Sequence, residues 1–496
     1  MQRGVDLVVE VRNARDSVLF TVDSPNGRDG PELVQLMSPR AAQYRLHVRP
    51  YDTGEPAGRY TLDVTAWRDA SATRALEAER QRARTAAADW LRARSAPLPP
   101  VAGVAPVSAL APVDALAARA RVIGMGEATH GSREFGDVRL MLTRYLIEQH
   151  RFRVVAIEAS VNHLAELNRY IHGRVPDSVA AILDHGWIGK RTLRELIAWL
   201  SDWNRMHPAD AVALVGLDPQ DHSMARRALR NFIAHAYPQV VERYAMVERE
   251  LAAKDSYFRN NAIDPSARQF LREFIAQATN DRPALLQLMD TALVRSGLHA
   301  ARVLLQVSGF NSAQPDEWSR SRDWYMAVNL LAALQSAPQG KAVVWSHNAH
   351  IAAPDDRSPA SRPMGSWLRA GLGCQYGALA VSFGRGSFLA LIPDDNVDRL
   401  AISTLPAAPP ESIDGVLMMV HDAGTVASWG CDSGAGDLPA WLRAPQPLHW
   451  VGGLFTPGTD PREAFRPFRL VNDFDGIVFI PVVTAEAMPA PPPRVP

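Results

Sequence analysis

From about residue 108 the chain alternates short apolar runs with amphipathic helical stretches. That alternation calls for a largely parallel sheet flanked by helices, because parallel neighbours need a crossover between them. Strands are predicted at 121–126, 154–158, 211–216, 342–346 and 378–383, and helices at 134–149, 160–172, 190–205 and 320–336. Residues 221–300 are helical in pattern throughout and read as a large insertion able to cap the sheet edge. A final strand begins at Gly476-Ile477-Val478-Phe479-Ile480. The fold class expected is α/β, a mainly parallel sheet with helices and a helical insertion.

Two of these strands end in histidine. One runs Val122-Ile123-Gly124-Met125-Gly126-Glu127-Ala128-Thr129-His130, the other Ala342-Val343-Val344-Trp345-Ser346-His347-Asn348-Ala349-His350. Open α/β sheets hold their chemistry at the carboxyl edge of the strands. Two such edges carrying imidazoles predict one shared acid–base site, since histidine titrates nearest neutrality.

The amino-terminal stretch differs. Residues 1–70 read as short strands, among them Val5–Val11, Ser17–Val22, Tyr44–Val48 and Arg59–Val64, separated by turn chemistry at Ser24-Pro25-Asn26-Gly27 and Asp52–Pro56. That pattern predicts a small all-β sandwich. Residues 71–107 read as a helical linker ending at Pro97-Leu98-Pro99-Pro100, residues 108–485 as the α/β domain, and 486–496 as a disordered Pro-rich tail.

Lys plus Arg and Asp plus Glu number 53 each, so no global field draws the chain to nucleic acid or an anionic membrane. The two cysteines, Cys374 and Cys431, exclude a Cys-rich metal site, and nothing in the sequence calls for joining them. No apolar run reaches membrane-spanning length, and the charged first twenty residues lack a signal peptide's apolar core. The default location is therefore cytoplasmic. Oligomeric state is not readable from these features.

An acid–base site of this kind can activate a water, which loses a proton as it attacks an electrophilic carbon, and a neutral imidazole suits that task. A carboxylate, Glu127 or Glu158, would hold the ring and stabilise the imidazolium. His347 would either protonate the leaving alkoxide or donate to the tetrahedral oxyanion, with Asn348, Arg133 and the backbone after Gly131 as further donors. No Gly-x-Ser-x-Gly elbow is evident, which argues against a serine nucleophile.

The motifs resemble the erythromycin esterase family. The resemblance runs in order through Gly126-Glu127-Ala128-Thr129-His130-Gly131-Ser132-Arg133-Glu134-Phe135, Ala156-Ile157-Glu158-Ala159, Trp187, Gly216-Leu217-Asp218-Pro219-Gln220, Arg322–Ala327, Trp345–His350, Met364–Leu368 and Phe474–Ile480. It covers roughly 108–485. It implies hydrolysis of a small-molecule ester or lactone, macrolides among them, by His-activated water, with no covalent intermediate and no cofactor or metal. By the same resemblance His130 is the general base, Glu127 lies beside it, and Glu158, His347 and His350 line the cleft. Arg133 and Glu134 follow the base in the first turns of a helix. Asp218, Gln220 and Trp187 stand as supporting or substrate-binding candidates, each with a purely structural alternative. The first seventy residues resemble the bacterial pre-peptidase C-terminal type of β-sandwich, which normally has strands upstream of Met1. That implies a truncated start, with export then open. Two other functional readings compete: a metal-dependent hydrolase using Glu127, His130, Glu158, His347 and His350 as ligands, and a binding protein that has lost catalysis.

Overall fold

A computed structural model describes the chain except at residues 24–27, 37, 39–41, 65–69, 101–109, 176–189, 254–262, 311–314, 338–339, 356–361, 394–398, 432–437 and 488–496. Trp187, the Ser24–Gly27 turn and most of the Pro-rich tail lie outside the described residues. Two compact units are present, Met1–Ala83 and Arg84–Pro496.

In the first unit, two three-stranded antiparallel sheets form among the described residues. One has the order Val18–Val22, Leu7–Asn13, Tyr44–Pro50, the other Asp29–Gly30, Gln2–Arg3, Arg59–Tyr60. Leu7, Val8, Val9 and Val11 are the buried residues of the longest run. The strand expected at 59–64 shrinks to its first two residues.

The helix Ala70–Arg92 runs across the division between the units. The reading of 71–107 as a linker meets a different arrangement at Ser95–Pro97. These residues pair antiparallel with Thr425–Ser428 and form the outer strand of the central sheet. Three residues ending in proline show no periodicity in a sequence, and an edge is where a sheet tolerates proline.

Among the described residues the central sheet has nine strands. Its order is Ala213–Asp218, Phe152–Ser160, Lys341–Trp345, Val122–Met125, Tyr376–Ile392, Gly476–Val483, Thr425–Ser428, Ser95–Pro97, with Arg399–Leu405 paired to the long Tyr376–Ile392 strand. The first six run parallel, Thr425–Ser428 and Arg399–Leu405 run antiparallel to them, and Ser95–Pro97, antiparallel to Thr425–Ser428, runs in the direction of the six. Burial on both faces explains the unbroken apolar runs: Val122, Ile123, Val343 and Val344 are fully enclosed. Register then places the chemistry. Met125, Ile157 and Trp345 pair across three adjacent strands. The next residue of each strand is Gly126, Glu158 and Ser346, so three polar segments emerge side by side at one carboxyl edge.

Helices Ser223–Ala236, Val241–Ala253, Pro265–Asn280, Arg282–Leu288 and Thr291–Phe310 make up the expected insertion. They bury their own core of Phe232, Tyr244, Phe270, Leu271 and Phe274.

Cys374 and Cys431 form a disulfide, which the sequence did not call for. Cys374 sits just before the Tyr376–Ile392 strand, and Cys431 follows Ser428, which pairs with Gly476 at the start of its strand. The bond therefore closes the amino edge of the sheet, opposite the histidines. No helix among the described residues is long and apolar enough to cross a membrane.

Candidate active site

The two histidine segments meet. The rings of His130 and His347 lie 5.3 Å apart between centroids, and His350 stands 6.4 Å beyond His347. Backbone bonds fix the loops. Asn348 N–H donates to Glu127 O (2.9 Å), and Gly131 O accepts from Leu389 N–H (3.1 Å) and Glu486 N–H (3.0 Å). Glycine is needed at two points of closest approach. A Cβ on Gly126 would lie 1.8 Å from Asn348 Oδ1, and one on Gly131 would lie 2.3 Å from Leu389 O.

His130 Nδ1 donates to Glu127 Oε1 at 2.9 Å, which leaves Nε2 as the basic nitrogen. A quarter of the His130 side chain remains exposed. Glu127 is buried, and its other oxygen accepts from Arg139 at 2.7 Å. Burial pushes the Glu127 carboxyl up, but Arg139 and His130 outweigh it and hold the carboxyl below its ordinary value. Burial likewise works against a charged His130, and the Glu127 carboxylate overrides it, so His130 is raised.

His347 is arranged the opposite way. It caps the short helix Asn348–Ile351, its Nδ1 accepting from Ala349 N–H at 3.1 Å. The ring proton is therefore on Nε2. That atom is buried with no hydrogen-bond partner among the described residues. Burial, then the neighbouring His130 and His350, push His347 down to about 3, so the ring is neutral at pH 7. An unsatisfied buried N–H is costly.

Behind these rings lies an ionic network. Glu158 Oε2 accepts from Ser346 Oγ (2.6 Å) and His347 N–H (2.9 Å), and Oε1 accepts from Arg322 Nη2 (2.7 Å). Arg322 also donates to Asp218 Oδ2 through Nη2 (2.7 Å) and Nε (3.2 Å). His350 Nδ1 is 2.5 Å from Asp323 Oδ1, and its Nε2 is 3.3 Å from Glu158. Burial alone would lower His350, yet Asp323 and Glu158 raise it to about 10. Arg322 Nη1 also approaches His350 Nε2 at 3.0 Å. With carboxylates at both ring nitrogens we take His350 as imidazolium, so this approach is two cations sharing Glu158. Glu158 lies well below its usual range, because His350 and Arg322 overcome its burial. Burial raises Asp323.

The other sequence candidates are placed as follows. Asn348 is engaged by the backbone of Val381, donating to its carbonyl (2.8 Å) and accepting from its N–H (3.0 Å). Glu134 accepts from Thr484 N–H and Oγ1, both at 2.6 Å, and Arg133 is largely exposed beside Asp137. The structure thus leaves Arg133 and Glu134 outside the cluster. Asp218 Oδ1 accepts from the Gln220 backbone N–H at 2.9 Å, and both residues are buried. Arg322 and Asp323, adjacent in sequence, meet different carboxylate and imidazole partners: Arg322 donates to Glu158 and Asp218, and Asp323 holds His350 Nδ1.

Arg139 went unread in the sequence. Its signal was a charge among the buried positions Phe135, Val138 and Leu142 of the helix Arg133–His150, where only a buried anion makes an arginine tolerable. Its guanidinium also lies 5.0 Å over the Trp345 ring, and Trp345 Nε1 donates to Thr143 Oγ1 at 2.9 Å. Trp450, 5.6 Å from His347 and edge-on to it, carried no motif. Among the described residues no group of three or more His, Cys, Asp or Glu is arranged to hold a metal ion. Glu127 and Glu158 are engaged by Arg139 and Arg322.

A family model described as erythromycin esterase matches residues 147–483. Glu158, His347 and His350 fall inside that range, and Glu127 and His130 precede it. The chain is 24% identical over 304 residues to the Escherichia coli protein named erythromycin esterase type II, covering 55% of this chain and 71% of that one. It is 22% identical over 265 residues to erythromycin esterase type I of the same organism, covering 47% of this chain and 62% of that one. In fold it is similar to a Bacillus cereus protein (TM-score 0.65, 19% identity, covering 82% of this chain and 99% of that one). It is also similar to a mutant erythromycin esterase in an open conformation (TM-score 0.59, 15% identity, covering 79% of this chain and 98% of that one).

Proposed function

The chain belongs to the erythromycin esterase family, and we propose that it hydrolyses an ester or lactone by water attack at the His130–His347 pair. His130 Nε2 takes the proton of the water as it adds to the carbonyl carbon, and Glu127 stabilises the imidazolium that forms. His347 Nε2–H donates to the carbonyl oxygen as it becomes an oxyanion. The tetrahedral intermediate collapses as the His130 imidazolium returns its proton to the leaving alkoxide. The products are an acid and an alcohol, joined in one molecule when the substrate is a lactone.

The geometry that carries this reading is the opposite hydrogen bonding of two adjacent rings. His130 Nδ1 is held by the Glu127 carboxylate, which leaves Nε2 as the basic nitrogen, whereas His347 Nδ1 accepts from the Ala349 N–H, which leaves Nε2–H as a donor. Burial and the neighbouring imidazoles keep the His347 ring neutral, which favours the oxyanion over the leaving group as the partner of its N–H. Glu158, Arg322, His350, Asp218 and Asp323 hold the His347 backbone and the field around it.

A macrolide lactone is the first substrate to test, because two relatives are named for erythromycin. Mass spectrometry of 14-membered macrolides incubated with the protein reads the reaction directly. A gain of one water, abolished in His130→Ala, supports the reading. Hydrolysis of macrolides and simple esters at equal rates by wild type and His130→Ala would remove His130 from the mechanism.

A further inference from the structure

Trp450 comes from a segment with no motif, yet its backbone is locked on both sides. Just before it, the His449 ring stacks between Phe383 and Phe465, each at 4.1 Å between centroids, and His449 N–H donates to buried Asp414 at 2.9 Å. Trp450 N–H donates to Ala464 O at 2.7 Å, and Val451 N–H donates to Ala128 O at 2.7 Å. Ala128 lies on the loop between Glu127 and His130. The segment is thus tied to one catalytic loop while its indole meets the other, at 87° to the His347 ring. The Arg466 guanidinium sits 4.7 Å over the indole and braces it.

Trp450 is half-buried, and the N–H of its neighbour His347 awaits an acceptor. An indole offers a large rigid apolar surface that loses little entropy on contact. Its position also distinguishes the two ends of an ester. The leaving oxygen must lie near His130, which returns the proton. With the carbonyl oxygen at His347 and the leaving oxygen turned toward His130, the acyl substituent is the group left to lie beside Trp450.

We propose that Trp450 determines specificity, its indole forming the apolar wall that receives a bulky hydrophobic acyl group. The inference rests on the ester-hydrolase reading above and adds the substrate portion that the site selects.

The test compares p-nitrophenyl acetate with p-nitrophenyl octanoate, which share a leaving group. Wild type is expected to favour octanoate in kcat/KM by about tenfold or more, the worth of roughly two buried methylenes. Trp450→Ala brings the ratio near unity with the acid limb of the pH profile unmoved, and Trp450→Phe keeps most of the preference. If circular dichroism shows Trp450→Ala unfolded, Trp450→Leu is read in its place. An unchanged ratio, or an equal loss on both esters, overturns the proposal. Calorimetric binding of heptyl and methyl trifluoromethyl ketones, whose hydrates mimic the tetrahedral intermediate, separates the two readings. If no ester is cleaved but the heptyl ketone binds more tightly in a Trp450-dependent way, the wall stands and the hydrolase reading falls. If the ketones show no such preference, the wall falls.

Discussion

His130 and His347 lie 5.3 Å apart between ring centroids and carry their protons on opposite nitrogens. Each assignment follows from a partner the sequence places nearby, Glu127 three residues before His130 and the Ala349 N–H two residues after His347. In the proposed reaction the pair serves as a base beside a neutral donor. Their expected losses differ. His130→Ala should lower kcat by about two to four orders of magnitude. His347→Ala should lower it by about two or more, with KM little changed. An effect of His347→Ala confined to KM would make that residue a binder of the ground state.

The pH profile carries a sign. A general base must be unprotonated, and His130 is raised by its Glu127 partner. The acid limb of kcat/KM should therefore lie above the ordinary histidine value of about 6.5. In Glu127→Gln the carboxylate is gone and burial remains, so the limb should move down while the maximal rate falls. A limb at the same pH in both proteins would remove Glu127 from the mechanism.

Arg139 and Glu127 are both about nine-tenths buried. Replacing Arg139 by leucine leaves the buried Glu127 carboxylate with the His130 ring as its remaining partner among the described residues, which should cost up to about 3–5 kcal/mol of stability. Adding Glu127→Gln to that variant should recover part of the loss, because the stranded charge disappears. Urea unfolding of the two single variants and the double variant measures the coupling. Simple additivity would mean the pair is not the source of the cost.

His350 titrates at about 10 in the folded chain against about 6.5 when unfolded. Below the lower value it is protonated in both states and its ion pairs contribute fully. As pH rises from about 6.5 toward 10 the unfolded chain gives up its proton first, and the contribution is lost. Urea midpoints should fall across that window in wild type and fall less in His350→Asn. Parallel curves for the two proteins would refute the assignment.

The Cys374–Cys431 bond closes a 57-residue separation at the edge of the sheet away from the histidines. Its reduction, or the double change to serine, should cost about 2–4 kcal/mol. Activity below the melting transition should be unchanged, since neither sulfur approaches the site. Loss of turnover in a still-folded reduced protein would show that the bond also shapes the active edge.

Much of this site was legible before any coordinates. The strands that lead to Glu127, Glu158 and His347 are readable because burial on both faces demands continuous apolar residues, and the polar residues come at or just past the end of each run. The helices at 134–149 and 160–172 were readable because one apolar stripe repeats with the helical period. Arg133 and Glu134 entered the candidate set because they follow His130 in the chain, yet a helix's first turn carries consecutive side chains to different faces. Trp450 stayed hidden because nothing local in Gln446–Val451 refers to His347.

What the sequence alone determined is what depends on neighbours in the chain: the α/β alternation, the apolar strands, and the residues waiting at their ends. Tertiary structure alone decided which charges met, joining Glu127 to Arg139, Glu158 to Arg322, His350 to Asp323, and Cys374 to Cys431. The reason is physical. Periodicity and turn chemistry act over a few residues, whereas an ion pair or a ring contact depends on distance in space, which crossovers between parallel strands set.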